Sequence, residues 1–363
     1  MSRVVYIREK APNQQHGGNK GVEDINTVLG KKYDEISELY TLPGRRHLFD
    51  YARFFTRNWS NLNTIRKSVK NDDILIIQYP HYNFHALGEK LIDLFRIKNT
   101  ILLVHDVDSV RYQTGIDEEI KLLNLAKVVL LHNQKMSDYL VKHGLKTKTV
   151  NVNIFDYLLY NTPSQESFSF GKQIVFAGNL GKSHFLNLMG QDSLGLSLSL
   201  FGPGLSEEMK ESSHVHWMGS YSPDEIPFKL KGSFGLVWDG TSLDECDGLM
   251  GRYMKINFPH KLALYIAAGI PVVTWSQAAI ADIVKTYKIG FVVDSLREVS
   301  NYIDSINEKE YAEYKKNILK LQKKVMSGYF TALAFEKAVT MILDFHHAVK
   351  WVPYMGSVKV LSR

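Results

Sequence analysis

The sequence contains a single cysteine, Cys246, among its 363 residues. One thiol can form neither an intrachain disulfide nor a cysteine metal cluster, which agrees with a reducing compartment. No apolar run approaches the roughly 20 residues that a membrane-spanning helix requires. The first residues also lack the apolar core of a secretory signal peptide. We therefore expect a cytoplasmic protein.

The excess of positive charge is small. A net charge of +6 is weak evidence for a nucleic-acid partner, and the sequence predicts none. Basic residues are concentrated between Lys315 and Lys324, where they suit a solvated helix face, an anionic substrate or the inner face of a membrane. Peripheral membrane contact and homo-oligomer formation stay open.

Apolar runs alternate with helical periodicity along the chain, and 45% of the residues are hydrophobic. This length suits two domains, and strands that alternate with helices indicate parallel sheets of the α/β class. The predicted strands are Val4–Ile7, Asp73–Gln78, Thr100–His105, Lys127–His132, Gln173–Ala177, Leu196–Phe201, His214–Met218, Phe234–Trp238, Pro271–Trp275 and Gly290–Val293.

A polar, turn-rich segment at 161–171 separates the two sets of strands and is typical of a linker. We predict a first doubly wound domain at 1–160 and a second at 172–328. Two long helical patterns follow residue 308 and are broken near Ser327–Gly328. The helix and tail at 329–363 are expected to pack back on the first domain.

In this architecture ligands bind where the carboxyl ends of the strands meet, so function should lie on the loops that follow the strands. In the loop at 11–21, Gly17 and Gly18 permit close backbone approach, and Lys20 adds a charge for a phosphate. The glycine spacing matches neither the Walker pattern nor the dinucleotide fingerprint. Either a mobile loop or a ligand lid fits, and the position after the first strand favours the lid.

The predicted strand ending at His105 is followed by two carboxylates, Asp106 and Asp108. General acid–base catalysis requires such a group within hydrogen-bond reach of a hydroxyl. The alternative is structural: one aspartate caps the next helix and pairs with Arg111. Both interpretations stay open at this point.

Polar loops also follow strands of the second half. Asn179 lies among glycines before a helix, where backbone amides can bind a phosphate. Asp239 either holds ribose hydroxyls, orients Lys255, or is a turn aspartate before Gly240. An acidic cluster at 244–247 lacks the spacing of a metal site, and no metal is predicted.

Residues 257–275 predict a helix followed directly by a buried strand. Asn257 is the expected N-cap, Pro259 suits the first turn, and Gly269 ends the helix. The basic residues at this helix start would oppose the helix dipole unless an anion, such as a diphosphate, lay among them. They are Lys255, His260 and Lys261.

The order of these loops resembles a GT-B glycosyltransferase, with Phe-Ala-Gly-Asn-Leu after the linker, then Trp-Asp-Gly, then Asn-Phe-Pro-His-Lys-Leu-Ala-Leu-Tyr-Ile-Ala-Ala-Gly-Ile-Pro-Val-Val. More narrowly it is similar to bacterial galactofuranosyltransferases and to the glucosyltransferases that glycosylate streptococcal adhesins. The resemblance implies two Rossmann-like domains that face a central cleft. It also implies a UDP-sugar donor, no separate cofactor, and a glycan, glycolipid or glycoprotein acceptor.

One departure narrows the resemblance. Many retaining GT-B enzymes have a pair of glutamates around this helix, and the matching positions here are Ile256 and Leu264. The narrower family implies an inverting transfer without an essential metal. By motif position it implies that the nucleotide diphosphate is bound by Asn179, Asp239, Tyr253, Lys255, Asn257 and Lys261. Gly17, Gly18 and Lys20 would close over the phosphates.

An inverting transfer requires a base. Asp106 or Asp108 is the first candidate, and His16 or His105 is the second. Two other classes stay open: a UDP-sugar epimerase of the same architecture, and a non-catalytic partner subunit. An epimerase would form product without an acceptor, whereas a partner subunit would neither bind UDP nor turn over.

Overall fold

A computed structural model describes residues 2–10, 17–40, 48–80, 89–97, 99–163 and 170–350. The strands are β1 (Val4–Lys10), β2 (Asp34–Tyr40), β3 (Ile74–Tyr79), β4 (Thr100–Val104), β5 (Val128–Leu131), β6 (Lys148–Asn151), β7 (Gln173–Ala177), β8 (Ser197–Phe201), β9 (Val215–Trp217), β10 (Phe234–Val237), β11 (Val272–Trp275) and β12 (Gly290–Val293).

The described helices are α1 (Gly17–Gly30), α2 (Leu48–Ser68), α3 (Glu89–Phe95), α4 (Asp108–Tyr112), α5 (Ile116–Leu123), α6 (Gln134–Lys142), α7 (Phe185–Gln191), α8 (Glu207–Lys210), α9 (Gly248–Tyr253), α10 (His260–Ala268), α11 (Ala281–Tyr287), α12 (Val299–Ser305), α13 (Glu308–Ser327) and α14 (Tyr329–Lys350).

Two parallel six-stranded sheets form the molecule. The first has the order β2-β1-β3-β4-β5-β6 and the second β12-β11-β10-β7-β8-β9. Strand order reverses at β1/β3 in the first sheet and at β7/β10 in the second, which are the points where such sheets leave a crevice. The predicted α/β class with two doubly wound, Rossmann-like units is confirmed. The boundaries near 160 and 172 stay predictions.

Burial on both faces explains why the central strands read as continuous apolar runs. In β3, Ile74 and Ile76 belong to a core that continues into the second domain and the last helices. Leu75 and Ile77 face the opposite core of the first domain. One face of the first sheet is therefore part of the contact between the domains.

The prediction missed two strands, β2 and β6, and both lie at edges of the first sheet. Their sequences, Asp-Glu-Ile-Ser-Glu-Leu-Tyr and Lys-Thr-Val-Asn, are polar and partly exposed. An edge strand is stabilised on one side only and tolerates charge, so it lacks the apolar run by which the other strands were identified.

Two helix starts differ from the prediction. Helix α1 begins at Gly17, so the glycines expected in a loop are helical from there on. Helix α10 has Pro259 as its N-cap residue, not Asn257, and has no side-chain cap. The ring of Pro259 fixes its φ at a value that suits the residue before a helix, so the helix begins at His260. Gly269 ends it in the left-handed region, as expected.

The predicted break at Ser327–Gly328 is confirmed, because Gly328 ends α13 with a φ of 83°. The following helix, α14, packs against β5, β6 and α1 of the first domain. Asp156 fixes its start by accepting hydrogen bonds from the backbone N–H groups of Phe330 and Thr331, at 3.4 and 2.7 Å. The C-terminal helix therefore crosses back to the first domain. Residues 351–363 lie outside the described part of the chain.

Among the described helices, none is long and apolar enough to cross a membrane.

Candidate functional site

A cleft of about 730 Å³ lies where the loops after the strands of both sheets face each other. Of the predicted site residues, those that line it are His105, Asp106, Asp108, Asn179, Asp239, Tyr253, Asn257, His260 and Lys261. The sequence argument that loops after parallel strands converge on one cleft therefore identified most of the described candidates.

A carboxylate that is paired with an arginine forms part of the cleft wall on the side of the first domain. Arg111 Nη1 donates to Asp106 Oδ2 at 2.7 Å. The hydroxyl of Tyr253, from the second domain, accepts a hydrogen bond at 2.9 Å from the backbone N–H of Val107, the residue after this carboxylate. Burial nevertheless raises the pKa of Asp106 to about 6, against the opposing effect of Arg111. The side chain remains 28% exposed, so a ligand can reach a group that titrates close to neutral pH.

The start of helix α4 is capped by a glutamate and not by Asp106 or Asp108. Glu119 accepts hydrogen bonds from the backbone N–H groups of Asp108 and Ser109, at 3.2 and 2.8 Å. The N-cap residue, Val107, provides no side-chain cap. Pairing of Asp106 with Arg111, which the structural alternative required, is therefore observed, whereas capping by either aspartate is not.

His105 directly precedes Asp106 in the chain, and its side chain is hydrogen-bonded within the first domain. Its Nε2 is 2.7 Å from Gln78 Oε1, while Gln78 Nε2 donates to Asn26 Oδ1. Because an amide oxygen only accepts, His105 Nε2 carries the proton. Burial lowers the pKa of His105 to about 3, so the ring is neutral and a weaker base than Asp106.

Two further histidines line the cleft. His132 Nδ1 accepts a hydrogen bond from the backbone N–H of Phe258 at 2.9 Å, which links the two domains. His260 packs against Tyr157, with ring centroids 5.5 Å apart. Burial lowers the pKa of both histidines to about 4. The expected cation at His260 is therefore wrong at neutral pH, because desolvation disfavours the charged ring.

The wall of the second domain is built from two loops that are tied together. Gly178 donates to the carbonyl of Phe201, and Leu180 donates to the carbonyl of Pro203, both at 2.9 Å. A Cβ at Gly202 would lie 1.8 Å from the Gly178 oxygen, and its φ is +130°. Only glycine permits this approach. The side chain of Asn179 accepts from the Lys182 N–H and so shapes the loop itself.

Lys261 is the cation that the start of helix α10 directs to the cleft. Its Nζ lies 5.0 Å from the centre of the Phe176 ring, and a Cβ at Gly178 would come within 3.0 Å of its Cε. Within the described ranges Lys261 has no carboxylate partner. Its charge is therefore available to an anion.

Asp239 also faces this region. Its Oδ1 accepts from the Gly240 N–H at 2.9 Å, so it is a turn aspartate, and it still lines the cleft. Within the described residues it forms no hydrogen bond or ion pair with Lys255, which is exposed and has its ammonium 5.2 Å above the Trp275 ring. Lys255 lies in the turn that follows α9 and does not line the cleft.

Lys20 does not line the cleft either. Its ammonium contacts Asp24 at 2.7 Å and Asp224 at 2.9 Å, and donates to the Leu158 carbonyl at 2.8 Å. From helix α1, Gly21 lines the cleft. His16 lies outside the described residues.

Sequence reasoning missed some of the cleft. His132 follows β5 just as His105 follows β4, so the same rule would have found it. Phe155 and Tyr157 come from the connection between the domains, whose loop-like sequence gives no sign that it lines a site. In the part of the chain that the structure describes, no three His, Cys, Asp or Glu side chains are grouped as a metal site requires.

The fold is shared with solved structures of low sequence identity. A sucrose-phosphate synthase from Thermosynechococcus elongatus superposes with a TM-score of 0.60, at 12% identity, over 96% of this chain and 99% of that one. A trehalose-6-phosphate structure from Escherichia coli, bound with UDP-2-fluoro glucose, gives 0.57 at 10% identity over 93% and 99%. Two Rossmann-like domains around a central cleft are the GT-B fold.

Sequence relatives define the activity class. A beta-1,6-galactofuranosyltransferase from Escherichia coli is 32% identical over 289 residues, or 77% of this chain and 82% of the relative. Glucosyltransferase 3 from Streptococcus gordonii is 28% identical over 78% of this chain and 84% of its own. With the GT-B fold, these similarities establish a glycosyltransferase.

The N-terminal and C-terminal domains of the glucosyltransferase 3-like family match residues 5–154 and 174–338. The chain therefore belongs to the glucosyltransferase 3-like family.

Proposed function

We propose that the protein transfers a hexosyl group, galactofuranose or glucose, from a UDP-sugar to a hydroxyl of a glycan, glycolipid or glycoprotein, with inversion. Bacterial cell-surface polysaccharide or glycoprotein synthesis would use such a product. The supporting observation is one cleft in which a carboxylate from the first domain, Asp106, faces the cationic start of a helix from the second, at Lys261. The relatives from Escherichia coli and Streptococcus gordonii are named as a galactofuranosyltransferase and a glucosyltransferase.

The diphosphate would lie at the start of helix α10. Free amide groups and the positive end of the helix dipole stabilise an anion there. Lys261 adds an unpaired charge, and the Gly178–Asn179 loop brings backbone close to the same space. Fixed donors of this kind stabilise charge that develops on a leaving group, here the UDP.

Asp106 is the proposed base. An acceptor hydroxyl attacks the anomeric carbon, and its proton passes to the Asp106 carboxylate. The bond from the anomeric carbon to the phosphate oxygen breaks, and its electron pair leaves with UDP. A group with a pKa near 6 is ionised at neutral pH yet retains proton affinity, as general-base catalysis requires.

Inversion is supported by the apolar positions that replace the glutamate pair. Ile256 is packed in the core of the first domain, and Leu264 is 8% exposed at the cleft. Neither can stabilise a cationic sugar or accept a proton. A direct displacement with a base on the opposite domain is therefore favoured over a retaining mechanism.

Membrane contact is a separate proposal. In the basic stretch of α13, Lys315 donates to the Gly269 carbonyl at 2.7 Å and so caps the C-terminus of helix α10. The other lysines of this stretch are exposed and could contact an anionic membrane surface. They are Lys316, Lys320, Lys323 and Lys324. Cytoplasmic location, peripheral binding at the inner face, and a homo-oligomer all stay predictions.

The test is incubation with UDP-galactofuranose or UDP-glucose and a panel of glycan acceptors, followed by mass spectrometry. NMR of the product would give the configuration at the anomeric carbon, and an inverted linkage is expected. A changed sugar formed from donor alone would indicate an epimerase instead. A protein that neither binds UDP nor turns over a UDP-sugar would be a non-catalytic subunit.

A further inference from the structure

Helix α9 belongs to the second domain but ends against the first. Its last residue, Tyr253, is 3% exposed, and α9 packs on helix α4. The tyrosine hydroxyl accepts a hydrogen bond from the backbone N–H of Val107 at 2.9 Å. Its own proton is thereby free to be donated, and the carboxylate of Asp106, the residue directly before Val107, is the neighbouring group whose charged form this hydroxyl favours.

Among the described residues, four charged or titratable groups act on Asp106 most strongly. Arg111 and Asp108 come from helix α4, Glu119 from helix α5, and Tyr253 from helix α9. Arg111 and Tyr253 stabilise the carboxylate, whereas Asp108 and Glu119 oppose its charge. Of these four, only Tyr253 is carried by the second domain, so only its contact depends on how the domains are arranged.

We propose that Tyr253 is a positioning residue that makes the base of the first domain competent only while the second domain is closed against it. This inference rests on the proposed function, in which Asp106 is the base. It replaces the expectation that Tyr253 binds the nucleotide. Because the second domain holds the donor, the same domain would deliver the sugar and orient the carboxylate that activates the acceptor.

The direction of the pH effect follows from the contacts. The Tyr253 hydroxyl lowers the pKa of Asp106 by donating to its charged form. Its removal should raise that pKa and move the acidic limb of kcat/KM to higher pH. A residue with a purely structural role would lower activity by the same factor at every pH.

The test compares Tyr253→Phe with Tyr265→Phe. Tyr265 is a matched control because it is fully buried and its hydroxyl accepts from a backbone N–H, that of Ala177, at 3.0 Å. All its hydrogen-bond partners lie in the second domain. Both variants lose a phenolic hydroxyl and leave an amide without its partner, so their losses of stability should be similar.

For Tyr253→Phe we expect the ratio of kcat/KM at pH 6 to that at pH 8 to fall at least about threefold below wild type. The affinity for UDP, measured by calorimetry, should stay within about twofold. Tyr265→Phe should leave the ratio unchanged. An unchanged ratio in Tyr253→Phe, or an equal change in both variants, would overturn the inference. So would a loss of UDP affinity confined to Tyr253→Phe.

A second variant covers the case in which Tyr253→Phe does not fold. Replacing Tyr253 by 3-fluorotyrosine keeps its shape and makes its hydroxyl a stronger donor, so the acidic limb should move to lower pH. No movement would contradict the proposal. If wild type transfers sugar but Asp106→Asn does so equally well, the positioning role fails while the proposed function stands. If wild type neither binds UDP nor releases it from a UDP-sugar, the function itself fails.

Discussion

Opposing influences act on the carboxylate of Asp106. Burial favours its neutral form, while Arg111 and Tyr253 favour its charged form, and the pKa is about 6 as a result. Asp106→Asn removes the proposed proton acceptor but keeps the shape of the side chain. We expect kcat to fall about 100- to 10,000-fold, because general-base catalysis contributes on that order. Initial rates of UDP release would measure it.

Calorimetry with UDP is the control for this variant, and the affinity should be close to wild type. Retained turnover in Asp106→Asn would move the role of base to another residue. His105 is disfavoured for that role because its pKa of about 3 leaves little proton affinity.

Lys20 illustrates a residue whose type suggested phosphate binding but whose contacts are structural. Lys20→Met would leave Asp24, which is 5% exposed, without its cation. Breaking a buried ion pair from one side costs about 3 kcal/mol or more, so the free energy of unfolding should fall by roughly that amount. Urea denaturation would measure the loss.

An exposed ion pair provides the comparison. Lys32 and Glu336 are 53% and 49% exposed, so Lys32→Met should cost less than about 1 kcal/mol. If Lys20→Met kept its stability but lost UDP affinity, the phosphate role originally expected for Lys20 would be supported instead.

The site could be predicted from sequence only in part. Position after a strand identified Asp106, because the carboxyl ends of parallel strands converge whatever the details of packing. Lys261 was identified as a cation at the start of a helix. Side-chain direction could not be read in the same way. Lys255 and Lys261 look equivalent in sequence, yet one rests on Trp275 outside the cleft and the other faces into it.

At the scale of elements, the start of helix α14 depends on Asp156, which is 4% exposed. Burial raises the pKa of this carboxyl from 3.8 to about 7, despite the hydrogen bonds that it accepts from Phe330 and Thr331. The folded state therefore holds the proton more tightly than the unfolded chain does. Stability from this group is present at low pH and is lost as the pH rises through about 7.

Asp156→Asn should remove this dependence while keeping one acceptor for the helix start. Between pH 5 and pH 8, wild type should lose about 2–4 kcal/mol of stability relative to the variant. Urea unfolding of both proteins at the two pH values would measure the difference, since the other titrating groups are common to both. An equal change in the free energy of unfolding of the two proteins between pH 5 and pH 8 would contradict the raised pKa of Asp156.

Elements were predictable where physical constraints are strong. Strand β3 is buried along its whole length, and its apolar run identified it. Strands β2 and β6 lie at edges, where a polar sequence is tolerated. The start of α10 was misplaced because Asn257 has a strong cap preference, whereas the actual entry is set by the backbone of Pro259.

At the scale of the whole molecule, the segment 253–258 joins the two domains. Three hydrogen bonds of 2.9 Å cross between them, from Val107 to Tyr253, from Asn133 to the Ile256 carbonyl, and from Phe258 to His132. The same segment leads directly into the proposed diphosphate site at helix α10. Arrangement of the domains and binding of the donor are therefore expected to be coupled.

The central claim is that the cleft binds a UDP-sugar with its diphosphate at Lys261. The most direct measurement is UDP release from UDP-galactofuranose or UDP-glucose by wild type and by Lys261→Ala, with UDP affinity determined for both. We predict release by wild type, and an affinity for UDP that is at least about tenfold weaker in Lys261→Ala, because a charge-assisted contact contributes about 1.5–3 kcal/mol. Equal affinity for UDP in the two proteins, or no release by wild type from either donor, would contradict it.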